Sequence, residues 1–331
     1  MKPSNWLAFK NGSGLIRGGI VLALAALVSV VSIPGCDRLD SDVGKFPDPM
    51  LEAAIREVIA KPEGDILDAD LIELTSLDIR SLEIADLEGL QYCVNLETLN
   101  LSQNLIENVD VLSGLDKLTQ LNLSWNKIID ISPVADLTHL SLLWLADNRI
   151  VDISVLAHLT GLIDLALRGN QIVDIAPLSS LTNLVTLDLK YNRIADVSPV
   201  ADLMSLKKLY LSGNEIVDLS PLSGLTGLAE LYLIANQIAD INPLASLMNL
   251  KVLALYKNQI VDISALNSLT ELQGLDVSDN QIADITPLLQ NAGLGYGDFV
   301  DVSSNALDTT PGSGDREMID MLIRRGVSVN H

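Results

Sequence analysis

The chain has 331 residues and a net charge of −22; hydrophobic residues make up 48 % of it and aromatic residues only 4 %. So negative a surface repels nucleic acid phosphates and anionic lipid heads, which excludes nucleic acid as a partner and favours solubility or a basic partner. Two cysteines, Cys36 and Cys93, are too few for a disulfide scaffold, and so few aromatics require a core of aliphatic side chains.

The first seventeen residues carry Lys2, Lys10 and Arg17 and no acid. Residues 18–33, GGIVLALAALVSVVSI, follow as an uninterrupted run of apolar and small residues. That run is short for a bilayer span, which needs ~20 residues. A basic segment followed by such a run reads as an export signal. Ile33-Pro34-Gly35-Cys36 ends it and resembles the lipobox of bacterial lipoproteins. The resemblance implies cleavage before Cys36, lipid attachment to that cysteine, and a signal peptide over residues 1–35. The alternative is an ordinary signal peptide or short signal anchor with an incidental cysteine. A multiply acylated N-terminus would hold to a membrane, since each buried CH₂ contributes ~0.8 kcal/mol. Residues 36–45 then form a polar tether.

Phe46-Pro47-Asp48-Pro49 predicts the start of a helix, with Asp48 accepting from the first free N–H groups and Pro49 at the first helical position. Leu51, Ile55, Val58 and Ile59 share one helical face, and Pro62-Glu63-Gly64 ends the run. A second short helix is expected over residues 68–74. Residues 46–73 are expected to close one end of a repeat array, which must cover its terminal apolar surface.

From there a 22-residue period governs the chain. Asn104, Asn126, Asn148, Asn170, Asn192, Asn214, Asn236, Asn258 and Asn280 stand at that spacing. With each Asn as position 0, positions −8, −5, −3, +2, +5, +8 and +11 hold Leu, Ile or Val, with Asn291 as the one exception. A fixed period of this size marks a solenoid, and L-x-x-L-x-L-x-x-N-x-I is the leucine-rich repeat pattern. The predicted fold is an α/β solenoid: a right-handed superhelix with a parallel concave β-sheet, a convex side of 3-10 or short turns, and helical caps at both ends. Residues 74–308 supply about eleven coils.

Within a unit, Leu165 and Leu167 alternate with Asp164, Ala166 and Arg168, the period of a strand. The Asn, able to donate and accept, is expected to satisfy backbone groups of its own and the adjacent coil as a structural ladder. Ser132-Pro133, Ser198-Pro199 and Thr286-Pro287 at +6 and +7 predict a capping residue and Pro at the start of a short helical turn. Asp86, Asp130, Asp152, Asp174, Asp196, Asp218, Asp240, Asp262 and Asp284 form a row at +4, expected to accept backbone N–H bonds. A calcium ladder is the sharper alternative for that row, but calcium needs several oxygens converging on one ion. Cys93 falls on a core position and reads as a small core filler. The spacing then slips by three residues in NAGLGYG before Asn305, and a helix is expected from Asp315 with Met318, Met321 and Leu322 inward. It would form the carboxyl cap, residues 309–331.

Residues 46–330 resemble bacterial leucine-rich repeat proteins of the internalin type, with their N-x-I-x-D-I-x-P-L turns. The resemblance implies a protein that binds other proteins by its concave face.

The variable positions −4, −2 and −1 point to that face or its edge. They carry Trp125, Trp144, Tyr191, Tyr210, Tyr232 and Tyr256, and Arg168, Asp188, Lys190 and Lys208 lie between these in the sequence. Aromatic anchors with mixed charge are how protein interfaces concentrate binding energy. Strands also favour aromatics without any partner. His139, His158 and His331 have no Ser or Cys at matched positions, and no phosphate loop or Cys/His metal spacing occurs. The sequence therefore predicts a non-enzymatic monomer without cofactor or metal. It would be exported, lipid-anchored at Cys36 in the bacterial envelope, and bind a protein ligand. A binder of envelope glycan or glycopeptide, or a structural spacer, are the other two readings.

Overall fold

The computed structural model describes residues 46–331. The expected signal peptide, Cys36 and the tether to residue 45 lie outside them. The described residues fall in one compact unit.

Twelve parallel strands make one sheet in strict chain order, β1 to β12. β1 is Ser76–Asp78, β2 Thr98–Asn100, β3 Gln120–Asn122, β4 Leu142–Trp144, β5 Asp164–Ala166 and β6 Thr186–Asp188. β7 is Lys208–Tyr210, β8 Glu230–Tyr232, β9 Val252–Ala254, β10 Gly274–Asp276, β11 Phe299–Asp301 and β12 Ser328–Asn330. Register follows the repeat: Leu165 of β5 pairs with Leu187 of β6, and Leu187 with Leu209 of β7. The central residue of β1 to β11 is buried, Leu in β1 to β10 and Val300 in β11, while the residues flanking it in β2 to β7 stay partly exposed. One aliphatic core runs the length of the stack, from Phe46 to Val327.

The return segments are 3-10 turns, such as Ala176–Ser180 and Ser220–Gly224. Their start differs from the expectation. The residue at +6 is the first of the turn and not its cap. The capping oxygen comes from the +4 carboxylate: Asp130, Asp152, Asp174, Asp196, Asp218, Asp240, Asp262 and Asp284 each accept at 2.8 Å from the N–H two residues on. An Asx turn of this kind satisfies the donor that a Pro at the next position leaves exposed.

The Asn row carries the other turn. Asn170 is typical: its Oδ1 accepts from Ile150 N at 2.9 Å, and its Nδ2 donates to Leu145 O at 3.0 Å and Leu167 O at 2.9 Å. Each amide thus joins two coils and closes its own turn.

Both ends are covered. Helix α1, Pro49–Val58, is capped by Asp48, whose Oδ1 accepts from Met50 N and Leu51 N. The second carboxylate oxygen of Asp48 accepts from Ala85 N and Asp86 N, which ties the cap to the first coil. Leu51, Ala54 and Ile55 are the buried face, and Val58, expected inward, is exposed because the core is met nearer the helix start. Helix α2 is Asp68–Leu71, shorter than expected, with Asp70 accepting from Leu67 N and paired with Lys61 at 2.7 Å.

At the other end, Thr286–Gln290 is a turn of α-helix, α3, and the NAGLGYG insertion follows it. Asn291 is fully buried at the one polar core position. It donates to Leu266 O and Leu269 O and accepts from Gly293 N, so its burial leaves no orphan. Gly293 lies so near Thr270 O that any Cβ would clash with the backbone, at 1.8 Å. Helix α4, Gly314–Arg324, buries Ile319 and Leu322; Met321, expected inward, points outward. Arg325 donates to the carbonyls of Asn291 and Leu289, fastening α4 to α3. β12 then adds a strand that the sequence pattern did not announce, since it lies outside the repeat.

Candidate functional site

The outward positions of each strand are −6 and −4, and −2 continues the same face. Asp164, Lys208 and Glu230 therefore stand in the −6 row before the −4 residues, a row that the −4, −2 and −1 positions leave out although Lys208 is among the expected candidates. The 4.8 Å strand spacing brings neighbouring rows into contact.

On this face the side chains form two linked groups, one on β4 and β5 and one from β6 to β8. Trp144 Nε1 donates to Asp164 Oδ1 at 3.0 Å on the next strand. Asp188 pairs with Lys190 at 3.1 Å, and the Lys190 ammonium lies 4.6 Å from the centre of the Tyr210 ring. Tyr210 and Tyr232 stack with centroids 5.0 Å apart. Tyr210 Oη donates to Glu230 Oε2 at 3.2 Å, and Glu230 Oε1 pairs with Lys208 at 2.9 Å. Offset stacking and ring–ammonium contacts of this kind fix side-chain positions before any partner arrives.

Burial sets the charges. Asp188 has its carboxyl raised above the ordinary value chiefly by desolvation, against the opposing pull of Lys190. Asp164 is raised for the same first reason, against the Trp144 hydrogen bond. Burial is also the leading cause that pushes the Tyr210 and Tyr232 hydroxyls up, so both stay neutral donors. Cys93 is fully buried, its thiol pushed up to about 12 by desolvation, which removes it as a nucleophile.

The remaining candidates divide. Lys190 and Tyr232 are buried at 7 % and 6 % exposure, spent on internal contacts. Tyr256 and Arg168 are half-buried at −2. Trp125 and Tyr191, at −1, are not on strands: they sit just past the strand ends in left-handed backbone, φ +61° and +55°. They are 52 % and 49 % exposed and form the rim of the face. Arg168 lies 5.5 Å from the Tyr191 ring and 3.9 Å from Asp147. The Tyr191 ring rests on the next coil at Gly213, where a Cβ would meet its Cδ1 at 2.5 Å. The nine ladder asparagines, Asn104 to Asn280, bond only to backbone and belong to the coil. Among the described residues no group of three or more His, Cys, Asp or Glu side chains could hold a metal, and no helix is long and apolar enough to cross a membrane.

An open parallel sheet of one strand per 22 residues, closed by an Asn ladder and 3-10 returns, defines a leucine-rich repeat solenoid. The family described as Leucine Rich repeats (2 copies) matches residues 160–202, 205–246 and 249–290, and the one described as Leucine rich repeat matches residues 72–128. An internalin from Listeria monocytogenes is 34 % identical; the match covers 86 % of this chain and 91 % of that one, with a TM-score of 0.73. The chain belongs to the leucine-rich repeat family and, within it, to the internalin-like proteins. A leucine-rich repeat protein of Leptospira interrogans shares the fold at 24 % identity, over 79 % of this chain and 73 % of that one, with a TM-score of 0.65. The Arabidopsis receptor kinase HAESA, solved with the peptide hormone IDA and the co-receptor SERK1, is 25 % identical. That match covers 63 % of this chain and 39 % of that one, with a TM-score of 0.57. No curated protein matches the chain.

Proposed function

We infer that this is a non-enzymatic binding protein that holds a protein partner on its sheet face, between Trp144 and Tyr256, with Trp125 and Tyr191 gripping from the rim. The observation that carries the reading is chemical. The positions that the repeat does not dictate hold aromatic rings and paired charges, joined across β4 and β5 and again from β6 to β8. Such a surface is rigid before binding, so little side-chain entropy is lost on association. HAESA, a relative in fold, is solved with a peptide hormone, which supports a protein or peptide ligand. The lipobox at Ile33–Cys36 supports attachment to a membrane on the exported side.

Crosslinking on whole cells tests it. A partner captured by the native chain should be lost when Trp125 and Tyr191 are both changed to Ala; capture at the native level would sink the reading. Charge reversal at Arg168 and Lys208 should also abolish a protein complex, whereas a neutral glycan would still bind. For the anchor, Cys36→Ala should stop incorporation of labelled fatty acid, and label that persists would refute lipidation there.

A further inference from the structure

A second surface lies on the flank that follows the Asn turn. Position +3 there is exposed in seven consecutive coils, yet aliphatic in each: Ile129, Val151, Val173, Ala195, Val217, Ala239 and Val261. The Ile and Val members are 54 to 60 % exposed. Position +1 on the same flank is Lys127, Arg149, Gln171, Arg193, Glu215, Gln237 and Gln259, polar throughout. A flank does not need apolar side chains to be extended, so the +3 row goes beyond what the backbone asks for. A contiguous apolar stripe is unusual on a solvated surface.

The row beside it is the +4 carboxylates. Each gives Oδ1 to a backbone N–H, and the hydroxyls of Ser132, Ser198 and Ser264 bond Oδ2 of their own Asp. None of these carboxylates takes part in an ion pair among the described residues. The hydrogen bonds hold Asp152, Asp196 and Asp218 below the ordinary value, so all three are ionised at neutral pH. At one end a shallow groove of about 270 Å³ opens between coils, lined by Ile129, Ile131, Val151 and Val155 with Asp130 and Asp152 among its walls. The rows are held in place by backbone bonds from each +1 N–H to the +2 carbonyl of the preceding coil, at 2.9 Å for Arg149 to Ile128 and for Gln171 to Ile150.

We propose that this flank, from Ile129 to Val261, docks a basic segment of a partner protein whose aliphatic side chains lie on the +3 row and whose Lys or Arg side chains meet the +4 carboxylates. Charge complementarity selects this occupant. A second copy of the chain would bring two carboxylate rows together, and an anionic bilayer would be repelled in the same way. A neutral segment would satisfy the stripe and leave the adjacent charges desolvated and unpaired. In the groove, one aliphatic side chain packs between Ile129 and Val151 while a neighbouring cation reaches Asp130 or Asp152.

The probe is a phage-displayed random dodecapeptide library selected on the full chain in mild detergent. Enriched peptides should combine Lys or Arg with Val, Ile or Leu. The best one, made synthetically, should bind about tenfold more weakly to V151T/V173T/V217T and to D130N/D152N. Thr keeps the branched shape and Asn keeps a capping oxygen, so both variants should unfold at the native temperature, which a thermal scan checks. Binding should be unchanged in W125A/Y191A, which separates this surface from the sheet face. The proposal is overturned if no basic peptides are enriched, if either flank variant binds as the native chain does, or if W125A/Y191A loses the peptide. Sedimentation with phosphatidylcholine vesicles that V151T/V173T/V217T abolishes would also overturn it, in favour of a membrane.

Discussion

The ladder asparagines show how much one side chain carries. Asn170 alone satisfies an N–H of one coil and two carbonyls. Asn170→Ala should therefore cost about 1–3 kcal/mol in denaturant unfolding, the range for stranded buried backbone groups. A shift below a few tenths would mean that water replaces the amide. Carboxylates at two kinds of position should titrate in opposite senses. Asp196 and Asp218, held low by bonds from Ser198 and Ser220, contribute stability above the unfolded value that is lost as pH falls through the lowered folded value. Asp164 and Asp188, raised by burial, work the other way: their contribution is present below the unfolded value and lost as pH rises through the raised folded one. Side-chain carboxyl shifts followed by NMR should show Asp164 and Asp188 protonating before Asp196 and Asp218 on acidification. The reverse order would contradict the burial assigned to β6. At Gly213 the backbone is left-handed, φ +68°, and the Tyr191 ring fills the place of a Cβ. Gly213→Ala should lower stability by about 1–3 kcal/mol and displace the ring, whereas Gly64→Ala, at φ +84° with nothing within 4 Å of a Cβ, isolates the backbone strain. Equal tyrosine spectra in the two variants would refute the ring's seat.

At the scale of the element, the repeat was legible because each core position is filled by the same residue class in coil after coil. The strand at Asp164–Ala166 and the turn at Ala176–Ser180 follow directly from it. Less legible was which side chain caps the turn. Ser198-Pro199 looks like a cap and Pro, yet the oxygen comes from Asp196, because the turn begins at Ser198, one residue earlier than the Pro suggests. Asp284→Ala should therefore lower the unfolding temperature while Asp284→Asn largely preserves it; equal losses would place the contribution in charge and not in the cap. The face was legible in part. Alternation located Trp144 and Tyr210, but no pattern in a single coil shows that Tyr232 is buried by its neighbour or that Tyr191 stands at the rim. Those facts arise between coils 22 residues apart. β12 was illegible for the same reason, since it pairs with β11 after the repeat has ended.

Residues 46–331 are a stack in which each coil touches only its neighbours. Stability of such a stack is close to a sum of unit and interface contributions, and opening begins at the ends. Hydrogen exchange should find the amides of β5 to β8 the slowest and those of β1 and β12 the fastest. A uniform rate along the sheet would mean that the caps hold as firmly as the middle. Removing residues 309–331 takes away α4 and β12 together and bares β11 and Leu288. The shortened chain should associate through that open edge, seen as a concentration-dependent increase in mass.

Each ladder amide reaches 25, 20 and 3 residues back along the chain, whichever coil it belongs to. Every interior junction is thus interchangeable with every other. An unequal exchange between two copies of the gene that removes or adds 22 codons would leave both ends and all remaining bonds as they were. The reach of the binding surfaces could then be lengthened or shortened in a single genetic event, while a loss of 21 codons would turn a strand's core residues outward and be eliminated.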